Sequence, residues 1–101
     1  MEYRTLGRTG IRVSEIGMGC EGFSGKTAEQ VRGMVDLMDS AGVNCIDLYT
    51  PEPELLDNLG RALEGRREKF ILQSHICAVW QNGQYKRTRD MAEVREGFED
   101  Q

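Results

Sequence analysis

The stretch Val43–Gly60, VNCIDLYTPEPELLDNLG, limits most sharply what this chain can become. Val43, Cys45 and Ile46 form an apolar run that suits a buried strand, and the strand carries the carboxylate of Asp47 to its end. A turn through Pro51 and Pro53 follows. Pro53 suits the first turn of a helix, whose apolar face is Leu55, Leu56, Leu59, Ala62 and Leu63, and Gly65 ends it. Strand, acid, turn and helix are one β/α unit. Such units stack into parallel sheets, whose chemistry gathers where the strands stop.

The rest of the chain repeats this pattern. Tyr3–Leu6 and Ile11–Val13 flank Gly7-Arg8-Thr9-Gly10 and read as a β-hairpin. Glu15–Met18 reads as a short strand running into a glycine-rich segment, Gly17 to Gly22. Thr27 and Gln30 form a capping box before Val31, Met34, Val35, Met38 and Ala41 at helical spacing, with Gly42 as terminator. Lys69–His75 is a third strand, and 76–89 reads as a long connection. Asp90 and Glu93 resemble a second capping box, before a helix with Met91, Val94 and Phe98 on one face. The order is a hairpin followed by three β/α units, an α/β architecture with parallel strands whose sheet needs cover on both faces and is left uncovered by the 101 residues. Three parallel strands leave two open edges, which invite self-association.

Length and composition exclude several classes of function. At 101 residues the chain has the size of one small domain. A mean hydropathy of -0.54 leaves no room for a membrane span. A net charge of -4 provides no field for phosphate backbones, so nucleic acid and membranes are not expected partners. The one basic cluster, Lys86, Arg87 and Arg89, reads as solvated loop surface. Three cysteines without a C-x-x-C pair fit reduced thiols, and no secretory leader opens the sequence, so a cytoplasmic protein is expected.

Several motifs point to chemistry, each with a plainer reading. Gly17-x-Gly19-x-x-Gly22 satisfies a dinucleotide fingerprint literally, with Asp47 ending the next strand. The capping box at Thr27 starts the helix too late for that motif. Gly25-Lys26-Thr27 resembles the end of a phosphate-binding loop, but Cys20 stands where the first glycine is required. Asp47 serves either proton transfer and cofactor contact or the capping of the next helix. His75, the only histidine, also falls at a strand end and is either structural or catalytic. Cys20, Asp47, His75 and Cys77 could converge as zinc ligands, but they are scattered singly, and no metal is expected. Trp80 and Tyr85 flank Gly83 and either form a wall for substrate or pack beneath the connection. Trp80 is the substrate-binding candidate.

Three blocks, EYRTLGRTGIRVSEIGMG, AGVNCIDLY and LGRALEGRREKFIL, resemble in order and spacing the N-terminal part of an aldo-keto reductase. The resemblance covers residues 2 to 74 and implies the first part of a (β/α)8 TIM barrel whose floor is closed by the hairpin, with residues 1–101 as a single partial domain, truncated relative to the full barrel. It implies NADP(H)-dependent interconversion of small carbonyl compounds and alcohols. Gly19 and Cys20 would lie near the cofactor and substrate, and Asp47 matches the family's catalytic acid. Two positions depart from the family. The register of its catalytic tyrosine holds Glu52, with Tyr49 as the nearest substitute, and the register of its lysine holds His75. An imidazole is cationic only near and below about 6.5, so a His at that position implies a different pH dependence. His75 is therefore the expected proton donor or carbonyl polariser, assisted by Asp47, with Tyr49 as the alternative donor. The resemblance also leaves room for a non-catalytic binding or regulatory relative, and the 101 residues alone are expected to be inactive.

Overall fold

A computed structural model describes residues 1–100. Its elements are β1 (Tyr3–Thr5), β2 (Arg12–Ser14), β3 (Met18–Gly19), α1 (Ala28–Ala41), β4 (Cys45–Leu48), α2 (Pro53–Leu63), β5 (Ile71–Ser74), β6 (Ala78–Gln81), β7 (Gln84–Arg87) and α3 (Met91–Glu99), with short 3-10 turns at Cys20–Phe23 and Arg67–Lys69. β1 and β2 pair as an antiparallel hairpin. β3, β4 and β5 form a parallel sheet in that order, with Met18 level with Ile46 and Gly19 level with Asp47. On the other side Asp47 is level with Gln73.

α1 begins as its sequence dictates. The Thr27 hydroxyl accepts from the Gln30 N–H at 3.2 Å, and the Gln30 side chain accepts from the Thr27 N–H at 3.0 Å. Two constraints converge at its end on Gly42. Its φ of +76° is left-handed, and a Cβ there would stand 2.7 Å from the Tyr3 hydroxyl, which donates to the Gly42 carbonyl. α1 and α2 pack side by side over one face of the parallel sheet. Phe23, Val31, Val35, Met38, Ile46, Leu48, Leu55, Leu59, Leu63 and Phe70 form the core between them.

The opposite sheet face is open, as expected of three parallel strands without the rest of a barrel. β4 alternates strictly, with Ile46 and Leu48 buried against the helices and Cys45 and Asp47 half-buried on the other side. Asn44, just before β4, ties the sheet to the hairpin. Its Oδ1 accepts from the Ser14 N–H at 2.8 Å, its Nδ2 donates to the Arg12 carbonyl at 3.0 Å, and its N–H donates to Ser14 Oγ at 3.1 Å. The hairpin therefore sits at the N-terminal ends of the parallel strands.

Three expectations are corrected. The strand placed at Glu15–Met18 is only Met18–Gly19. Ser14 Oγ donates to the Ile16 carbonyl at 2.6 Å, a local bond that turns the backbone between hairpin and sheet. The long connection at 76–89 is mostly a second hairpin, so Lys86 and Arg87 lie on an exposed strand rather than a loop. Asn82-Gly83, at φ +53° and +74°, makes the two-residue turn whose twist suits paired strands. α3 packs through Val94, as expected, and through Gly97 rather than Met91 and Phe98. Val79 fills the space beside Gly97, while Met91 and Phe98 are 72% and 67% exposed.

The expected capping box at α3 is half formed. Asp90 accepts from the Ala92 and Glu93 N–H groups, but Glu93 turns away from the Asp90 N–H, which donates to Thr88 Oγ1. The Glu93 carboxylate instead accepts from the Thr88 hydroxyl and from Lys86 Nζ at 2.9 and 3.0 Å. The Thr88 bond first, and then Lys86, holds the Glu93 carboxyl at about 2, below the usual value near 4.5. The unfolded chain thus binds this proton more readily than the folded one. The contribution is fully present above about pH 4.5 and disappears as pH falls through about 2. The melting temperature of Glu93→Gln should lie below that of the wild type at pH 6, and the two should converge between pH 4.5 and 2. A gap that persists at pH 2 would assign the loss to something other than this ion pair.

Candidate functional site

The parallel register brings the sequence candidates to one end of the sheet. Gly19 ends β3, Asp47 lies level with it on β4, and His75 follows the last residue of β5. His75 Nε2 lies 2.9 Å from Asp47 Oδ1, and the two side chains are 45% and 43% exposed. The contact unites two residues 28 apart in sequence on the face the helices leave open. An ionised carboxylate only accepts hydrogen bonds, so a neutral imidazole in this contact carries its proton on Nε2.

Gly19 is exposed, with open space where a Cβ would stand, so a ligand can approach its backbone beside Asp47. Cys20 is different. Its side chain is fully buried in the core cluster, and burial, followed by the nearby Asp47 charge, pushes its thiol up to about 12. A contact between Cys20 and a cofactor would therefore run through its backbone. Among the described residues no group of three or more His, Cys, Asp and Glu side chains is placed to hold a metal ion.

Tyr49 stands two residues beyond Asp47, and its ring packs against Tyr85 of β7 with centroids 6.3 Å apart and a 36° tilt. Burial, then the carboxylates of Glu21 and Glu52, raises its hydroxyl above the usual tyrosine value, so it stays protonated and is a weaker acid. Glu52 is itself engaged, because Ser24 Oγ donates to its Oε2 at 2.8 Å. Trp80 lies apart from the histidine–aspartate pair, in a cleft of about 350 Å³ with Pro51, Pro53 and Leu56 on one side and Gly97 of α3 on the other.

Two features of this end were not read from the sequence. The Ser24–Glu52 bond has no local signature. The β6–β7 hairpin had one, Asn82-Gly83, and its consequence is that Tyr85 reaches Tyr49.

Comparison with solved structures settles the framework. Two structures from Pseudomonas aeruginosa, each designated a candidate aldo-keto reductase, superpose with TM-scores of 0.80 and 0.79 at 28% and 26% identity. Each match covers 96% of this chain. The fold is that of the N-terminal part of these aldo-keto reductase structures. The chain spans 39% of the length of those structures. No protein-family model matches it, and neither does any curated protein. In aldo-keto reductase terms, β1 and β2 are the hairpin before the barrel, and β3, β4 and β5 are its first three parallel strands. Asp47 and His75 then lie at the strand ends where barrel enzymes keep their chemistry. Among the described residues no helix is long and apolar enough to cross a membrane.

The burial pattern makes the thiols distinguishable, since Cys77 is exposed and Cys45 half-buried. Iodoacetamide at pH 8 should label Cys77 first and leave Cys20 unmodified until urea unfolds the chain, as read by peptide mass. Labelling of Cys20 at the rate of Cys77 in native protein would show that the turn after β3 is open.

Proposed function

We propose that these β/α units belong to an oxidoreductase that interconverts a small carbonyl compound and its alcohol using NADP(H), with His75 as the proton-transfer residue and Asp47 as its positioning partner. The observation that supports this reading is the 2.9 Å contact between His75 Nε2 and Asp47 Oδ1 at the strand ends. In the reducing direction an imidazolium Nδ1–H gives its proton to the oxygen of the substrate. In the oxidising direction the neutral Nδ1 takes the proton of the alcohol. Asp47 keeps the ring oriented and stabilises its charged form.

The strand ends suit the nicotinamide–ribose part of the cofactor. Gly19 permits close backbone approach, and the Asp47 carboxylate can accept from a hydroxyl or amide. When bound, the cofactor supplies or accepts the hydride. Glu21 and Glu52 add negative charge on this side, so the cofactor phosphates would find their cations on other parts of a complete barrel. On this reading the 101 residues alone neither hold NADP(H) tightly nor turn over substrate. The open edges of β3 and β5 favour self-association instead.

The second reading is a non-catalytic relative that binds or regulates. Glu52, in the register of the family's tyrosine and bonded to Ser24, favours it, as does the raised Tyr49 hydroxyl.

A chimera separates the two. Residues 1–101 replace the matched segment of either Pseudomonas structure, and NADPH oxidation is followed with a simple aldehyde. The enzymatic reading predicts turnover that falls about a hundredfold or more in His75→Gln, the usual scale of a lost proton-transfer group. Turnover unchanged by that substitution removes His75 from the mechanism, and a folded chimera without turnover supports the binding module.

A further inference from the structure

We propose that the cleft between α2 and α3 is a second binding site, separate from the histidine–aspartate pair, and that it takes a small alkylammonium ion. The inference does not depend on the roles assigned to Asp47 and His75.

The cleft follows from the face that α3 turns toward its neighbours. Val79 of β6 packs beside Gly97, and Glu93, Glu96, Gly97 and Asp100 recur at i, i+3, i+4 and i+7, so a single stripe of the helix lines the cavity. Such an inward stripe is ordinarily apolar. In α3 the large apolar side chains Met91 and Phe98 are exposed instead, and the inward stripe is acidic. It cannot close onto Leu56 of α2 as a dry core, because carboxylates buried without partners are costly. A concave space of about 350 Å³ remains, within the size range of small-molecule sites.

The walls of that space specify its occupant. Pro51, Pro53 and Leu56 supply apolar surface, and the half-buried Trp80 supplies an aromatic one. Asp57 adds a fourth carboxylate, from α2. Glu93 already has a cation in Lys86, at 2.9 Å. Asp57, Glu96 and Asp100 have none among the described residues, and no Lys or Arg lines the cleft. Glu96 and Asp100 stand at i and i+4 on α3, where like charges repel. A bound cation relieves that repulsion, and an indole attracts an ammonium group. The carboxylates are not grouped to hold a metal ion, so the charge has to arrive on an organic body, whose alkyl chain then covers the prolines and Leu56. A neutral alcohol of the same length satisfies only the apolar wall, and an anion is repelled.

Trp80 is the only tryptophan, so its fluorescence reports on the cleft directly. The 101-residue protein is titrated at pH 7 with hexylamine, hexanol and hexanoate, which share a chain and differ in the charge of the head group. Hexylamine should shift the Trp80 emission and bind about tenfold more tightly than hexanol, the scale of three exposed charge contacts together, and hexanoate should bind most weakly. Added salt should narrow the gap. Neutralising Asp57, Glu96 or Asp100 singly, as Asp57→Asn, Glu96→Gln or Asp100→Asn, should lower the preference about twofold each, and the triple variant should bind hexylamine and hexanol alike. Removing three acids elsewhere, by Glu2→Gln, Glu29→Gln and Glu68→Gln together, should keep the preference. Equal binding of hexylamine and hexanol by wild type, a preference that survives in the first triple variant or falls equally in both, or an emission unmoved by hexylamine overturns the proposal. Tighter binding of Nα-acetyl-lysine amide than of hexylamine overturns it too, by assigning the cleft to a lysine side chain of another protein. None of these outcomes bears on the reading of Asp47 and His75.

Discussion

The period of two along β4 is the constraint on which the rest depends. A strand sends successive side chains to opposite faces, so burying Ile46 and Leu48 against α1 and α2 commits Cys45 and Asp47 to the other face. The helices supply the apolar cover that fixes this register. A slip of one residue would bury the Asp47 carboxylate in a core that offers it no partner, at a cost no such sheet would bear. The acid stands on the open side because its neighbours are apolar, and His75, arriving from β5, meets it there.

The two ends of the sheet are built by different means. At the N-terminal end Asn44 makes three hydrogen bonds with the hairpin, and Tyr3 reaches the end of α1, so the backbone there is tied down by polar contacts. At the C-terminal end the side chains are half exposed and carry like charges. Glu21, Asp47 and Glu52 all lie near the turn after β3 or the start of α2, and their field reaches Cys20 and Tyr49. A proton is thus held firmly on Tyr49 and on Cys20.

Much of this was legible in the sequence because it depends on local rules. The Thr27–Gln30 capping box, the αL glycine at 42 and Pro53 opening α2 all have short-range causes, and each element appears where those rules put it. The three blocks that resemble aldo-keto reductases also gave the order of hairpin and parallel strands. What failed depended on partners distant in sequence. The face of α3 was misjudged because a nine-residue helix offers two overlapping apolar stripes, and only the position of β6 chooses between them. The second hairpin was missed at its own Asn-Gly turn, since Gln84–Arg87 has Tyr85 as its one apolar side chain and lacks the alternation that marks a half-buried strand. Asp47 and His75 were expected at one end of the sheet and as partners, but only the structure shows that they touch.

The central claim is that Asp47 holds His75 as a proton-transfer residue with Nδ1 free, and the tautomer of the imidazole tests it most directly. Long-range ¹H–¹⁵N spectra of the neutral ring distinguish a proton on Nε2 from one on Nδ1. The structure predicts that wild-type protein holds the Nε2–H form alone and that Asp47→Ala relaxes to the mixture of free histidine. A wild-type ring that already shows that mixture, or one protonated at Nδ1, would contradict the claim.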